Sequence, residues 1–275
     1  LRSGGIVALE RAGARSIVDL IRQGPEALGR VRRLETEAEA DVSIGPELLA
    51  PLGENVLMIA TSGNYLSHLA EMGAPAPSRI HGFLVSPNSL TGSGSVVRLP
   101  AQHGEYVDWE GELCVVIGQP CYEVAAAEAA RCVFGFTLFN DISARDWCAS
   151  MISTDARQAT AAWRNNILFK QFPTFGPMGP WIVPAADLPD IEQRELVTTL
   201  NGQVVQRDRI GHTRFHFTEV ISQLSQVYAF APGDLITLGT PAGVGMAAQP
   251  PRFLRPGDEI VVSVDGLGEL RNNVV

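Results

Sequence analysis

Asp108-Trp-Glu-Gly-Glu112-Leu-Cys-Val-Val-Ile117 decides how this chain folds and what it can hold. Its second half is an apolar, β-branched run, which predicts a buried strand over Leu113–Ile117. Its first half places Glu110 and Glu112 two residues apart at the strand entrance, and side chains at i and i+2 of an extended chain share a face. Like charges so placed repel, and if buried they must take up a proton or find a cation. Alone, Glu-x-Glu is ordinarily a solvated strand entrance.

A third acid changes that reading. Asp141 closes the apolar run 134–140 and precedes Ile142-Ser-Ala-Arg145-Asp146, which reads as the first turn of a helix. Carboxylates delivered from two strand segments supply the hard oxygen donors of an octahedral Mg²⁺ or Mn²⁺ and leave places for water and substrate. The four cysteines, Cys114, Cys121, Cys132 and Cys148, show no C-x-x-C spacing, and no Cys/His cluster favours zinc.

Outward from this stretch, short β runs punctuated by Gly, Pro, Asn and Asp continue from Phe83 to the end. Candidate strands are 96–99, 113–117, 135–139, 196–200 turning at Asn201-Gly202 into 204–206, 235–238, and 259–264 turning at Asp265-Gly266; Asn-Gly and Asp-Gly between apolar runs are strong hairpin signals. Helices are expected at 124–132 and 218–227. The opening differs in kind: apolar residues at mixed helical spacing over 6–21, a second helix started by Pro25, and a strand near 55–60. The expected class is α+β and β-rich, with a small N-terminal α/β domain over 1–63 and a catalytic domain over 64–275.

With 21 Lys and Arg against 30 Asp and Glu, the net charge is −9, spread along the chain. A nucleic-acid or anionic-membrane binder would show a basic patch, so neither partner is expected. Charged, Gly or Pro residues interrupt every hydrophobic run, so no membrane span is expected. The first ten residues lack the apolar core of a signal peptide, and Leu1 is not a Met, so a preceding segment is expected. Unpaired cysteines fit a cytoplasmic location.

Six stretches, in order, carry a resemblance: Gly63-Asn-Tyr-Leu-Ser-His68-Leu-Ala-Glu71-Met-Gly; Glu110-Gly-Glu112; Asn140-Asp141-Ile-Ser-Ala-Arg145-Asp146; Lys170-Gln-Phe-Pro-Thr-Phe-Gly-Pro-Met-Gly-Pro180-Trp; Asn201-Gly202 with Gln206; and Gly239-Thr240-Pro-Ala-Gly-Val-Gly245. Together they resemble the fumarylacetoacetate hydrolase family over residues 55–275. The resemblance implies a mixed β-roll, a homodimer, and small oxo-acid substrates, many of them β-diketo acids or acylpyruvates. It makes Glu110, Glu112 and Asp141 ligands of Mg²⁺ or Mn²⁺, in agreement with the charge argument. His68 and Glu71 stand at i and i+3, a spacing that alone is commonly a surface pair. The resemblance makes them a dyad on a lid near 64–73, in which Glu71 orients the imidazole and His68 takes a proton from water. Lys170 becomes an electrostatic partner of substrate or enolate, and Arg145, Gln206 and Thr240 become substrate-binding residues, with a structural ion pair left open for Arg145 and a plain turn for Thr240.

The expected activity is metal-dependent hydrolysis of a C–C bond in a fumarylpyruvate- or maleylpyruvate-like acylpyruvate, giving pyruvate and a second acid in aromatic catabolism. The alternatives are a 2-oxo acid isomerase or decarboxylase, of the 2-hydroxyhepta-2,4-diene-1,7-dioate isomerase or oxaloacetate decarboxylase type, and a catalytically silent small-acid binder. Three features depart from the family pattern: Cys148 where a polar amide is common, Ser86-Pro87 where Lys-Pro is frequent, and a long stretch over 149–166 suited to covering substrate or a dimer contact.

Overall fold

Strand Gly111–Ile117 lies in the middle of a seven-stranded sheet, every residue of it buried. The structure is a computed structural model, and residues 5–43, 45, 47–53, 55–147 and 168–275 are described. In order across the sheet run His81–Leu84, Met58–Ser62, Leu235–Thr237, Gly111–Ile117, Val133–Asn140, Gly176–Pro184 and Leu90–Thr91. A second sheet of five strands orders Gln203–Arg209, Glu195–Leu200, Glu259–Val264, Gly268–Val274 and Val96–Val97. Both mix parallel and antiparallel pairs. This is the mixed, β-rich α+β architecture, with a curled sheet, expected above.

The two sheets and helix Phe217–Ser225 enclose the main core, in which Leu113, Val115 and Ile117 of the central strand meet Leu196, Val262 and Ile221. Alternate residues Cys114 and Val116 turn to the opposite face and pack with Met58, Phe139 and Leu235. A strand apolar on both faces is what such an interior position requires. Cys114, Cys121 and Cys132 are buried free thiols.

The N-terminal part carries a strand Gly5–Ile6 paired with Val42–Ser43, helices Ile17–Gln23 and Pro25–Glu37, and its own small core of Ala12, Ala14, Leu20 and Ala27. Apolar residues over 6–21 therefore do not form one helix: Gly13, at φ 75°, ends a 3₁₀ turn and lets the chain restart at Ser16, whose hydroxyl caps the helix. Strand Met58–Ser62 pairs on both sides within the large sheet, so that sheet begins before residue 63, where the expected domain division lies. The helix expected over 124–132 is one short α-turn, Ala126–Ala129, followed by 3₁₀ geometry, because Gly118 N–H draws the carbonyl of Cys132 back to the sheet. Both hairpins form as read, at 201–202 and 265–266. Among the described residues no helix is long and apolar enough to cross a membrane.

Candidate active site

Antiparallel pairing of Gly111 with Asn140 brings the entrance of one strand beside the exit of the next. Glu110, Glu112 and Asp141 thereby converge from two chain segments, with one oxygen of each lying within 4.8 Å of the others. All three are buried, Glu112 at 1% exposure. The backbone holds them there: Asp141 N–H donates to Glu110 O at 2.9 Å, and Glu110 N–H donates to Asn140 Oδ1 at 3.0 Å.

The residue between the two glutamates must be glycine. A Cβ at position 111 would collide with Thr198 Oγ1 and press on both methyls of Val262, so the five-stranded sheet packs directly against this bend.

The helix turn expected from Ile142 does not begin there; helical geometry, of the 3₁₀ kind, starts only at Arg145. Ser143–Ala144 is extended and pairs with Val107–Asp108, and Ile142 N–H donates to Phe175 O at 3.0 Å. A ladder partner distant in sequence overrides the local capping pattern. The consequence is that Arg145 directly follows this short strand, at the start of a 3₁₀ turn over 145–147, where its Nε donates to Asp108 Oδ2 at 2.9 Å and its guanidinium reaches Glu110 Oε1 at 2.5 Å. The structural ion pair left open for Arg145, with Asp146 or another acid, therefore exists with Asp108 and Glu110, while Asp146 pairs with His103. Lys170 Nζ donates to Glu110 Oε2 at 2.7 Å and Asp141 Oδ2 at 2.5 Å.

These contacts set the titration of each group. Burial works against the charge of Glu110, but Lys170 and Arg145 overcome it and hold its carboxyl down at about 2. Burial, reinforced by Asp141 and Glu110, pushes Glu112 well above the usual carboxylate range. Burial also raises Asp141, to about 6, with Lys170 offsetting part of the effect. Although burial favours the neutral amine, Asp141 and Glu110 keep Lys170 protonated far up the scale. Asp108 is raised by burial and opposed by Arg145.

Four buried carboxylates thus face two cations, the buried Lys170 and the part-buried Arg145. The excess of two negative charges is what one divalent cation neutralises, and without a cation the raised carboxyls, Glu112 foremost, offset it by taking up protons. Glu112 Oε2 is buried and has no hydrogen-bond partner, an arrangement that costs about 1–3 kcal/mol unless something occupies its lone pairs. An all-carboxylate donor set with an unsatisfied buried oxygen fits a hard divalent ion.

Helix Leu66–Glu71 lies over the neighbouring loop. His68 Nδ1 is 3.0 Å from Glu71 Oε2, while Glu71 Oε1 accepts the Gly243 N–H at 2.8 Å. Ser67 Oγ donates to Asp208 Oδ2 at 2.5 Å and accepts the Ala242 N–H at 3.3 Å. The dyad is therefore assembled and fastened to residues 242–243, and His68 is near enough to Glu110 to act on it electrostatically. Gln206 and Thr240, expected against substrate, are bonded to each other at 2.8 Å and to the Gly111 peptide.

Asp108 was not among the residues expected to act. It accepts from Arg145 and from the Gly245 and Met246 N–H groups at 2.6 and 3.0 Å, tying the loop to the acidic cluster. The signal was available, since Asp108, Glu110 and Glu112 continue one i, i+2, i+4 spacing. Cys148 and the stretch 149–166 lie outside the described residues. Ser86, where a Lys is frequent, caps a 3₁₀ turn by accepting the Asn88 N–H, and its own N–H donates to Gln171 Oε1 one residue from Lys170.

A family model described as the C-terminal region of fumarylacetoacetate hydrolase matches residues 58–275. The human protein named mitochondrial oxaloacetate tautomerase FAHD2A is 34% identical over 277 residues, covering 99% of this chain and 84% of that protein. A solved structure of 2-hydroxyhepta-2,4-diene-1,7-dioate isomerase from Mycobacterium marinum matches with TM-score 0.66 at 33% identity, over 82% of this chain and 77% of its own. Maleylpyruvate hydrolase from Sphingobium sp. SYK-6 matches with TM-score 0.74 at 26% identity, over 94% and 85%.

Proposed function

The chain belongs to the fumarylacetoacetate hydrolase family, and on that footing we propose that it is a divalent-metal-dependent hydrolase of acylpyruvates, cleaving the C–C bond of a fumarylpyruvate- or maleylpyruvate-like β-diketo acid to pyruvate and a second acid. The observation that carries this reading is the assembled His68–Glu71 dyad beside the three-carboxylate cluster. Glu110, Glu112 and Asp141 hold Mg²⁺ or Mn²⁺, which when bound supplies Lewis-acid charge against the oxygens of an oxo acid.

Glu71 accepts from His68 Nδ1–H and so leaves Nε2 as the basic nitrogen. His68 takes one proton from water, whose oxygen adds to the distal carbonyl carbon. The bond between that carbon and the pyruvate methylene then breaks, and its electron pair passes into pyruvate enolate. The Lys170 ammonium faces the negative charge as it develops. Return of the proton from His68 to the enolate carbon closes the balance: one water consumed, pyruvate and one carboxylic acid formed.

A second reading, keto–enol tautomerisation or isomerisation of a 2-oxo dicarboxylate, is favoured by the name of the human relative, similar along 99% of the chain. There the same dyad moves a proton between carbon and oxygen without adding water. Two solvent labels separate them: acylpyruvates, oxaloacetate and hydroxymuconate-type acids are incubated with enzyme and Mg²⁺ or Mn²⁺ in ¹⁸O-water and, in parallel, in deuterium oxide, and products are identified by mass. Hydrolysis places ¹⁸O in the second acid, whereas exchange of the C3 proton without cleavage supports the tautomerase. Neither outcome with any of these substrates refutes both.

A further inference from the structure

We infer that Gln206 is a positioning residue of the metal centre, acting through the peptide of Gly111 rather than on substrate; the inference rests on the reading of Glu110, Glu112 and Asp141 as that centre.

Gln206 lies on strand Gln203–Arg209 of the five-stranded sheet, yet its side chain reaches into the other sheet and is only 1% exposed. Its Oε1 accepts the Gly111 N–H at 3.0 Å. Its Nε2 spends both hydrogens, one on Thr240 Oγ1 at 2.8 Å and one on Pro241 O at 2.9 Å. Thr240 in turn donates its only hydroxyl hydrogen to Gly111 O at 3.0 Å. Both polar groups of residue 111 are therefore held from one side, by two side chains bonded to each other. Thr198, on the adjoining strand, occupies the space where a Cβ would stand.

Residue 111 is the hinge between two ligands of that centre. Rotation of its peptide would swing Glu110 and Glu112 apart, and neither has another covalent route by which their separation is fixed. Its own neighbours in the large sheet constrain it on the Asn140 side. Gln206 and Thr240 constrain it on the other. With both amide hydrogens committed inside the protein, Gln206 has no donor left for an incoming carboxylate. Outer partners of this kind commonly change metal affinity by about 10–100-fold when removed.

The test titrates Mn²⁺ into parent protein, Gln206→Met, Thr240→Val and Thr240→Ser by calorimetry, with the electron paramagnetic resonance spectrum of each bound Mn²⁺ and a thermal melt to confirm folding. Gln206→Met keeps the volume and removes all three hydrogen bonds. Its Mn²⁺ dissociation constant should rise at least tenfold with a broadened spectrum; Thr240→Val should do the same, and Thr240→Ser, which keeps the hydroxyl, should restore the parent affinity. Because the two side chains are bonded to each other and hold the N–H and C=O of one residue, the Gln206→Met/Thr240→Val double variant should lose less than the product of the single losses. Parent affinity and spectrum in Gln206→Met, with KM for an oxo acid raised instead, would make Gln206 a substrate contact and overturn the inference while leaving the metal centre intact. Should Gln206→Met not fold, the Thr240 pair decides alone: equal affinity in Val and Ser variants overturns it. Failure of the parent to bind Mn²⁺ removes the centre and the inference together.

Discussion

Replacing Glu112 by Gln tests the cluster on stability and needs no substrate. In the metal-free protein burial and two neighbouring carboxylates hold Glu112 well above the ordinary range, which favours its protonated form. A neutral amide of the same length then changes little, and the metal-free melting temperature should move by no more than about 2 °C. The loaded protein behaves differently. At a Mn²⁺ concentration 100 times the dissociation constant, binding to the folded state alone stabilises by about 2.7 kcal/mol. With an unfolding entropy of about 2.1 cal/mol/K per residue, a chain of 275 residues carries about 0.6 kcal/mol/K, so Mn²⁺ should raise the parent's melting temperature by about 4–5 °C. In Glu112→Gln that increment should fall below about 1 °C at the same concentration. The assay is differential scanning calorimetry with and without Mn²⁺, after chelator treatment. An undiminished Mn²⁺ increment in the variant refutes the ligand role. A large loss of metal-free stability refutes the claim that the buried carboxyl is neutral.

His68→Ala should bind Mn²⁺ as the parent does and lose about 10²–10⁴-fold in turnover, the span that a positioned base contributes; parent-level turnover removes the dyad from the mechanism. Metal uptake should release protons, because Glu112 and Asp141, both raised by burial, hold them in the metal-free protein and must give them up to become ligands. Affinity should therefore climb as pH rises from about 5 through the Asp141 value near 6, which calorimetry in buffers of different ionisation enthalpy would show; uptake without proton release at pH 6 counts against the charge argument. Gly111→Ala should destabilise by about 1–3 kcal/mol, since its methyl has no room against Thr198 and Val262. A melt equal to the parent's would mean the bend tolerates displacement.

Local chemistry made much of this fold legible. Asn201 and Gly202 sit at φ 52° and 77°, the left-handed pair that a two-residue hairpin demands and that Asn-Gly supplies at least cost. The central strand was legible because its apolar run is continuous, and its acids because they break that run at a two-residue period. What escaped depends on partners far along the chain. Nothing local to Ile142–Ala144 announces that Val107–Asp108 will pair with it, and that pairing turns Arg145 toward Asp108 and Glu110. Gln206 likewise reads as the polar residue of a hairpin; only the packing of one sheet on the other carries its amide to Gly111.

The charge arrangement also constrains how an anionic substrate arrives. Arg145 and Lys170 already offset two of the four buried carboxylates, so a divalent ion brings the cluster to neutrality rather than to a positive excess. The chain as a whole carries −9 and repels an oxo acid at long range. At physiological ionic strength that repulsion is screened beyond about 8 Å. Attraction must then be generated at contact, by the Lys170 ammonium and by a divalent ion where the three carboxylates hold one. For that, the cations must be shared between fixed carboxylates rather than free, because a lysine released from Glu110 and Asp141 would neutralise the substrate wherever it first touched, instead of at the oxygen where the negative charge develops.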